Sequence, residues 1–254
     1  MQAPEFLLSQ TNTPLIIRTP MESAMKVWLK YKKEVAENTT LFGFAPDGEL
    51  SYTPGQWVRL KLSLQHPDEK GDERYFSIVH PDAENIEIAT RMSDTGYKQT
   101  LSAMQFDDAA WISQIGGSLT MPEVSNKEIV MVAGGIGITP FKCMLEHAVA
   151  TGDRRPITLL HSNKNLDNAA FYHDLKKIDA EKDNIRVIFV MTRQEDWPGP
   201  KGRINSYFLK QTLPSPEKLH YMVAGPPNFV NGIGTTLEEI GATDTHFEKF
   251  FGAS

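Results

Sequence analysis

The sequence predicts two domains: a small antiparallel β-barrel or sandwich, then an α/β domain built on a doubly wound parallel sheet. Up to about residue 122 the apolar residues recur mostly with period two, the mark of strands buried on one face. Beyond that point continuous apolar runs alternate with longer amphipathic stretches, as when helices cover both faces of a parallel sheet. A glycine-rich turn of nucleotide-binding type, "VMVAGGIGITPF" at 130–141, opens only where this second part begins. The chain therefore divides into an N-terminal arm (1–24), an antiparallel domain (25–123) and an α/β domain (124–254).

The arm carries Pro4, Pro14 and Pro20. "MKVWLKY" places Met25, Val27, Leu29 and Tyr31 on one strand face, and "WVRLKLSL" does the same with Val58, Leu60, Leu62 and Leu64. Turns at "APDG" (45–48), "TPG" (53–55) and "HPDEKGD" (66–72) punctuate the domain. Further strands are expected at "RYFSIV", "NIEIATR" and "WISQI", giving five to seven short strands in all. The α/β domain reads as strand–helix units: "IVMVAGG" with "PFKCMLEHAVAT", "PITLLHS" with "LDNAAFYHDLKKID", "IRVIFVMT" with a segment around "RINSYFLKQ", and "LHYMVAGPP" with "NFVNGIGTTLEEI". No repeat or low-complexity tract interrupts either half.

A chain of 254 residues, 40% apolar and 23% charged, can bury a full core. No stretch approaches the roughly 18–20 consecutive apolar residues of a membrane span. The start "MQAPEFLLSQTNTP" lacks the basic flank and long apolar run of a secretory signal, so a cytoplasmic location is expected. A formal charge of −6 without a dense Lys/Arg block argues against nucleic acid as a partner. The single Cys143 excludes an intrachain disulfide, a zinc ribbon or a four-cysteine iron–sulfur cluster, and reads as a small core residue on a helix. His161, His173 and His220 show no metal-ligand spacing, so no metal site is expected, and no Gly-x-Ser-x-Gly or His-Glu-x-x-His element supports hydrolysis.

If Ile129 to Ala133 is the first parallel strand, Gly134, Gly135 and Gly137 lie at its carboxyl end, where open α/β sheets hold ligands. Glycine there permits positive φ and lets a pyrophosphate approach the backbone. Thr139 and Pro140 then read as N-cap and first residue of the helix, whose N-terminus faces the phosphate. A glycine-rich turn with no ligand would carry the same letters. "YMVAGPPNFV" repeats the design, with Gly225 followed by Pro226 and Pro227. Thr192 and Arg193 follow "IRVIFV", and a hydroxyl beside a guanidinium suits a phosphomonoester, although an arginine there is also an ordinary surface charge. In the first domain "ERYFSIV" combines the cation Arg74, the aromatic Phe76 and the hydroxyl of Ser77, with Tyr75 pointing the other way; a half-buried strand with an edge arginine reads alike. "TRMSDTGYKQTL" brings Arg91, Lys98 and Thr100 near a helix start, as an anion site or a solvated turn would.

Together, over residues 25–252, these pieces resemble the ferredoxin–NADP reductase superfamily of flavoproteins. "RYFS" looks like its flavin motif Arg-x-Tyr/Phe-Ser, "GGIGITP" like its nicotinamide turn, "VAGPP" like its Cys/Ala-Gly-Pro-Pro turn and "FEKFFG" like its terminal Glu-x-Phe-x-Gly. The likeness is nearest to stand-alone bacterial FAD reductases with segments similar to "ATRMSDTGYKQTL" and "HSNKNLDNAAFYHDL". It implies an antiparallel Greek-key barrel binding FAD, followed by an NAD(P)-binding domain. Arg74 would contact FAD phosphate, Phe76 stack on the isoalloxazine and Ser77 bond near flavin N5, with Tyr75 in the same motif. Thr90 and Arg91 open the second flavin segment, in which Lys98, Gln99 and Thr100 would cradle the pyrophosphate. Gly135, Gly137, Ile138 and Thr139 would meet the nicotinamide nucleotide, Ser162 and Lys164 its adenosine region, and Gly225, Pro226 and Pro227 would close over it. Glu248 and Phe250 would lie beside the flavin, with Ser77 and Glu248 the catalytic pair.

The resemblance implies hydride transfer from NAD(P)H to flavin, then single electrons to a separate acceptor: a ferredoxin, an oxygenase component or a small molecule. Thr192 and Arg193 favour NADP(H) over NAD(H). The alternatives are a flavin-bearing subunit of a larger oxygenase or dehydrogenase complex, and a nucleotide-binding module without flavin. The chain departs from the family pattern in "QIGG" (Gln114 to Gly117) where the barrel usually ends in Gly-Pro-x-Gly, in Ala224 where many relatives have cysteine, and in the "AS" that follows the terminal glycine.

Overall fold

The computed structural model describes residues 24–82, 84–123 and 126–250, so all of the expected arm but its last residue, the last two residues of "FEKFFG" and the final "AS" lie outside the described residues. Six antiparallel strands come first: β1 (Met25–Ala36), β2 (Thr39–Pro46), β3 (Trp57–Lys61), β4 (Glu73–Ser77), β5 (Ile86–Arg91) and β6 (Ala109–Gly116). They form one sheet in the order β4-β3-β6-β1-β2-β5. The sheet curls until its edges meet, where an isolated bridge joins Ile78 to Ile88. A helix, α1 (Gly96–Ala103), lies between β5 and β6, capped by the Thr95 side chain. Val27, Phe42, Val58, Leu60, Ile78, Ile88 and Tyr97 fill the interior of the curl.

Five parallel strands follow: β7 (Ile129–Gly134), β8 (Ile157–Asn163), β9 (Ile185–Met191), β10 (His220–Gly225) and β11 (Thr245–Lys249). Their order, β11-β10-β7-β8-β9, places the reversal of winding between β7 and β10. Helices α2 (Ile138–Thr151), α3 (Tyr172–Glu181), α4 (Ser206–Thr212) and α5 (Pro227–Glu239) complete the layers. β7 and β10 are buried at every residue, which is why both read as unbroken apolar runs. One core lies on the side of Phe141, Met144 and Leu159, the other on the side of Tyr221, Val223 and Ile233. Cys143 is fully buried, as expected, but it packs from α2 into the core of the antiparallel sheet. Burial pushes its thiol up to about 12. No described helix is long and apolar enough to cross a membrane.

Several local expectations need correction. Tyr31 leaves the inward face because the β1–β2 register slips between Leu29 and Tyr31; its ring covers Gly43 and its hydroxyl donates to Glu87. The "LDNAAFYHDLKKID" helix is broken: a short 3-10 turn (Leu166–Asn168) precedes α3, and Phe171 between them has φ 61°. The Thr139 N-cap is also wrong. A 3-10 turn (Gly135–Gly137) leads directly into α2 at Ile138, and the Thr139 hydroxyl donates back to the Ile136 carbonyl at 3.1 Å. Pro140 is then the third helical residue, still inside the turn whose amides lack intrahelical partners. Gly137 makes the close helix–strand approach: an added Cβ would lie 2.3 Å from the Ala224 carbonyl oxygen and 2.7 Å from Gly225 Cα.

Candidate functional site

Two cavities flank the glycine turn. The larger, of about 1130 Å³, opens at the carboxyl ends of the parallel strands. Gly134, Gly135 and Ile136 line it at and just after the end of β7, Ser162, Asn163 and Lys164 at and just after the end of β8, Thr192 and Arg193 directly after β9, and Pro226, Asn228 and Phe229 around the start of α5. The antiparallel sheet contributes Glu37, Thr39 and Arg91 to the same wall. Glu37 is tied across to the parallel half, its amide donating to the Asp167 carbonyl at 2.7 Å and its carboxylate accepting from Asn168 at 2.6 Å.

The local chemistry of this cavity follows from strand ends held in register. The Thr192 and Arg193 amides donate to the Asn163 and Lys164 carbonyls, both at 2.8 Å, which sets Lys164 and Arg193 on adjacent strand ends. The Thr192 hydroxyl also donates to the Asn163 carbonyl at 3.1 Å, so its proton serves the turn rather than an incoming phosphate. Arg203 adds a cation that sequence reasoning missed, because it lies in the "KGRIN" connection rather than at a strand end. Lys164, Arg193, Arg203 and Arg91 against Glu37 and Glu239 make the cavity cationic, as a polyanionic ligand requires.

Gly135 adopts φ +54°, with open space where a Cβ would stand. Beneath it His161 is fully buried, with Nε2 3.0 Å from the Gly135 carbonyl oxygen. Burial holds its pKa down to about 4, so the ring stays neutral and Nε2–H donates to that carbonyl. Gly134 and Gly225 both leave room for the Phe229 ring, which a Cβ would meet at 2.6 and 2.9 Å.

The smaller cavity, of about 360 Å³, lies between the two sheets. Lys70, Arg74 and Lys98 supply cations, Trp57, Tyr75, Phe76 and Phe250 rings, and Ser77, Thr90, Ser93, Thr95 and Thr139 hydroxyls; Glu248 closes the far side. Arg74 donates to the carboxylate of Asp68 and to the carbonyls of Lys70, Gly71 and Glu73, all on the 68–73 turn, and lies over the Tyr97 ring at 4.8 Å. Lys98 is buried, donates to the Thr90 hydroxyl and stands 5.0 Å from the Phe76 ring. Burial, with the nearby Arg74 charge, pulls its pKa down to about 7. Glu248 pairs with Ala224 in the β10–β11 ladder, and burial raises its carboxyl to about 7. The Phe250 amide donates to the Gly225 carbonyl at 2.9 Å, holding Phe250 itself against the cavity.

Phe76 is 7% exposed and belongs to the barrel core, whereas Tyr75 is 59% exposed and meets Trp57 edge-on at 4.8 Å. Both rings border the cavity. Trp57 in turn covers Gly116 and Gly117, where a Cβ would come within 3.0 Å of the indole, so "QIGG" is shaped to receive that ring.

Of the expected site residues, Arg74, Tyr75, Phe76, Ser77, Thr90, Lys98, Thr139, Glu248 and Phe250 converge on the smaller cavity. Arg91, Gly135, Ser162, Lys164, Thr192, Arg193 and Pro226 converge on the larger. Gly137, Ile138, Gly225 and Pro227 build the turns behind these walls without lining either. Gln99 is exposed outside both. Thr100 faces inward, donating to the Gly96 carbonyl at 2.8 Å and accepting from the Gln65 amide at 3.1 Å. Ile136, inside the motif but not singled out in the sequence, borders both cavities.

Residues 131–234 match the family model described as the oxidoreductase NAD-binding domain. Over 241 residues, 88% of this chain and 60% of the relative's length, the sequence is 23% identical to a flavohemoprotein of Bacillus subtilis. It is 25% identical over 228 residues, 85% of this chain and 74% of the relative, to NADH-cytochrome b5 reductase 1 of Emericella nidulans. In three dimensions the fold superposes on a ferredoxin NADP+ reductase from Neisseria gonorrhoeae with bound FAD and NADP at a TM-score of 0.77 and 22% identity, covering 90% of this chain and 99% of that one. It superposes on a flavohemoglobin from Malassezia yamatoensis with bound FAD and heme at a TM-score of 0.78 and 20% identity, covering 89% and 60% respectively.

Proposed function

We propose, the chain being a member of the ferredoxin–NADP reductase-like superfamily, that it is an FAD-dependent NAD(P)H oxidoreductase passing electrons to a separate acceptor. The observation that carries this reading is the pair of cation-lined cavities that share Ile136 as a wall. Ligands that each carry a diphosphate would be held apart by their charged ends and brought together at that residue.

The residues of the smaller cavity fit FAD. Arg74, Lys70 and Lys98 would hold its phosphates, Tyr75, Phe76 and Trp57 flank its ring system, and Ser77 and Thr139 offer hydroxyls to its polar edge. Bound there, FAD would supply the redox chemistry, accepting hydride from a reduced nicotinamide and releasing single electrons. Ser77, 5% exposed, would donate from a largely buried position. Glu248 holds a proton up to about pH 7 beside the same cavity, so it would deliver or retain that proton as the ring charge changes. Phe250, joined to Gly225, would cover the ring edge.

The residues of the larger cavity fit a pyridine nucleotide. Gly135 admits a close phosphate approach, and Lys164, Arg193 and Arg203 would distinguish NADP(H) from NAD(H) by pairing with the additional phosphate. The acceptor in this reading is a small redox protein such as a ferredoxin or oxygenase component, or a small oxidant, and the setting is the cytoplasm.

Purification followed by anaerobic NADPH titration tests the proposal. A yellow protein whose visible absorbance NADPH bleaches supports it. A yellow protein inert to NADPH and NADH points instead to an electron-transfer subunit, and a chain that retains no flavin refutes the flavoprotein reading altogether.

A further inference from the structure

At the opposite end of the parallel sheet from both cavities, pairing of β10 with β11 brings together three side chains that are far apart in sequence. His220 opens β10, Asp244 immediately precedes β11, and His246 is its second residue. The parallel register sets Tyr221 against Thr245 and Met222 against His246, so His220 and His246 fall on one face of the sheet. Their rings lie 5.0 Å apart at 40°, and His220 Nδ1 stands 2.8 Å from Asp244 Oδ1.

We propose that His220, Asp244 and His246 bind a divalent ion of the zinc class. One ligand atom from each lies within 4.8 Å of the others. Two imidazole nitrogens and one carboxylate oxygen are the donors that zinc prefers, at about 2.0–2.2 Å from the metal. His220 is buried and fixed by its strand, Asp244 is partly buried, and His246 is exposed and free to turn onto an ion. Lys127 binds the second carboxylate oxygen, Asp244 Oδ2, at 2.7 Å and orients the group, the arrangement that tunes ligating carboxylates elsewhere. Three protein ligands leave a fourth position for water. The ion would pin the amino-terminal end of β11, whose next residue on the same face after His246 is Glu248.

The test is calorimetric titration of the metal-free full chain with zinc chloride, repeated on His246→Ala and Asp244→Asn. Expected are one ion per chain, a higher melting temperature in zinc, a cobalt-substituted visible spectrum of low coordination number, and affinity losses of about 100-fold or more in each variant. His246 is exposed, so its variant should melt at the wild-type temperature without metal. Asp244→Asn keeps side-chain size if the alanine variant misfolds. Equal zinc affinity in the wild type and both variants would assign the binding to scattered surface histidines and overturn the site, as would no binding at all.

Discussion

Replacement of Gly137 by alanine tests the packing that holds the glycine turn in place. The new Cβ would stand 2.3 Å from the Ala224 carbonyl oxygen, 2.6 Å from its carbon and 2.7 Å from Gly225 Cα. Ordinary carbon contacts are about 3.5–4.0 Å, so the start of α2 must move by roughly an ångström away from β10. No flexible side chain can absorb that displacement, since every obstructing atom is backbone of a strand buried on both faces. Overpacking of this kind costs about 1–3 kcal/mol, and the rigid surroundings place Gly137→Ala at the upper end. Urea unfolding should show a lower midpoint with an unchanged slope. The movement also carries Ile136 and Gly135, so NADPH affinity should fall with stability. Gly234→Ala is the contrast: its Cβ would meet only the Phe247 ring, at 3.8 Å, and replacing a mid-helix glycine should add about 1 kcal/mol. A Gly137→Ala protein within about 0.5 kcal/mol of wild type would refute the close-approach argument.

Three further outcomes are expected. Burial lifts Glu248 from 4.5 to about 7, so between those values the folded chain binds more protons than the unfolded one and stability falls as pH rises through the window. Glu248→Gln should remove that fall and gain roughly 1–3 kcal/mol at pH 8 relative to wild type, and parallel stability–pH curves for the two proteins would contradict it. Tyr75→Ala should weaken flavin binding, read from recovered flavin fluorescence, without changing the urea midpoint, whereas Phe76→Ala should cost about 3–5 kcal/mol as a core truncation; a structural cost at Tyr75 would reverse the assignment of exposed and buried rings. Arg193→Ala and Arg203→Ala should each lower catalytic efficiency with NADPH by about tenfold or more while sparing NADH, and an equal loss with both nucleotides would remove the phosphate contact.

The two halves, the strands β7 and β10 and their glycine turns were legible because full burial on both faces writes an unbroken apolar run. β2 was not: in "TTLFGFAP" the run Leu41 to Phe44 is buried without a break, and Gly43 within it makes room for Tyr31. β11 was hidden for the opposite reason, since "THFEK" is a short edge strand, exposed or half-buried throughout, with no apolar pattern. The "ERYFS" segment reads locally, yet its aromatic neighbours do not, because Trp57 reaches the cavity only through the pairing of β3 with β4. Arg91 illustrates the same limit. It neighbours Thr90 in sequence, but strand alternation sends the two side chains to different cavities. His220 and Asp244 are brought together by a ladder 24 residues in span, so no spacing rule could signal them.

Because Ile136 belongs to both walls, a molecule in either hollow would touch a side chain that an occupant of the other also meets. Thermodynamic reciprocity then requires that whatever the flavin does to nucleotide affinity, the nucleotide does equally to flavin affinity. Changing the bulk of this one residue would then be felt on both sides of the turn at once.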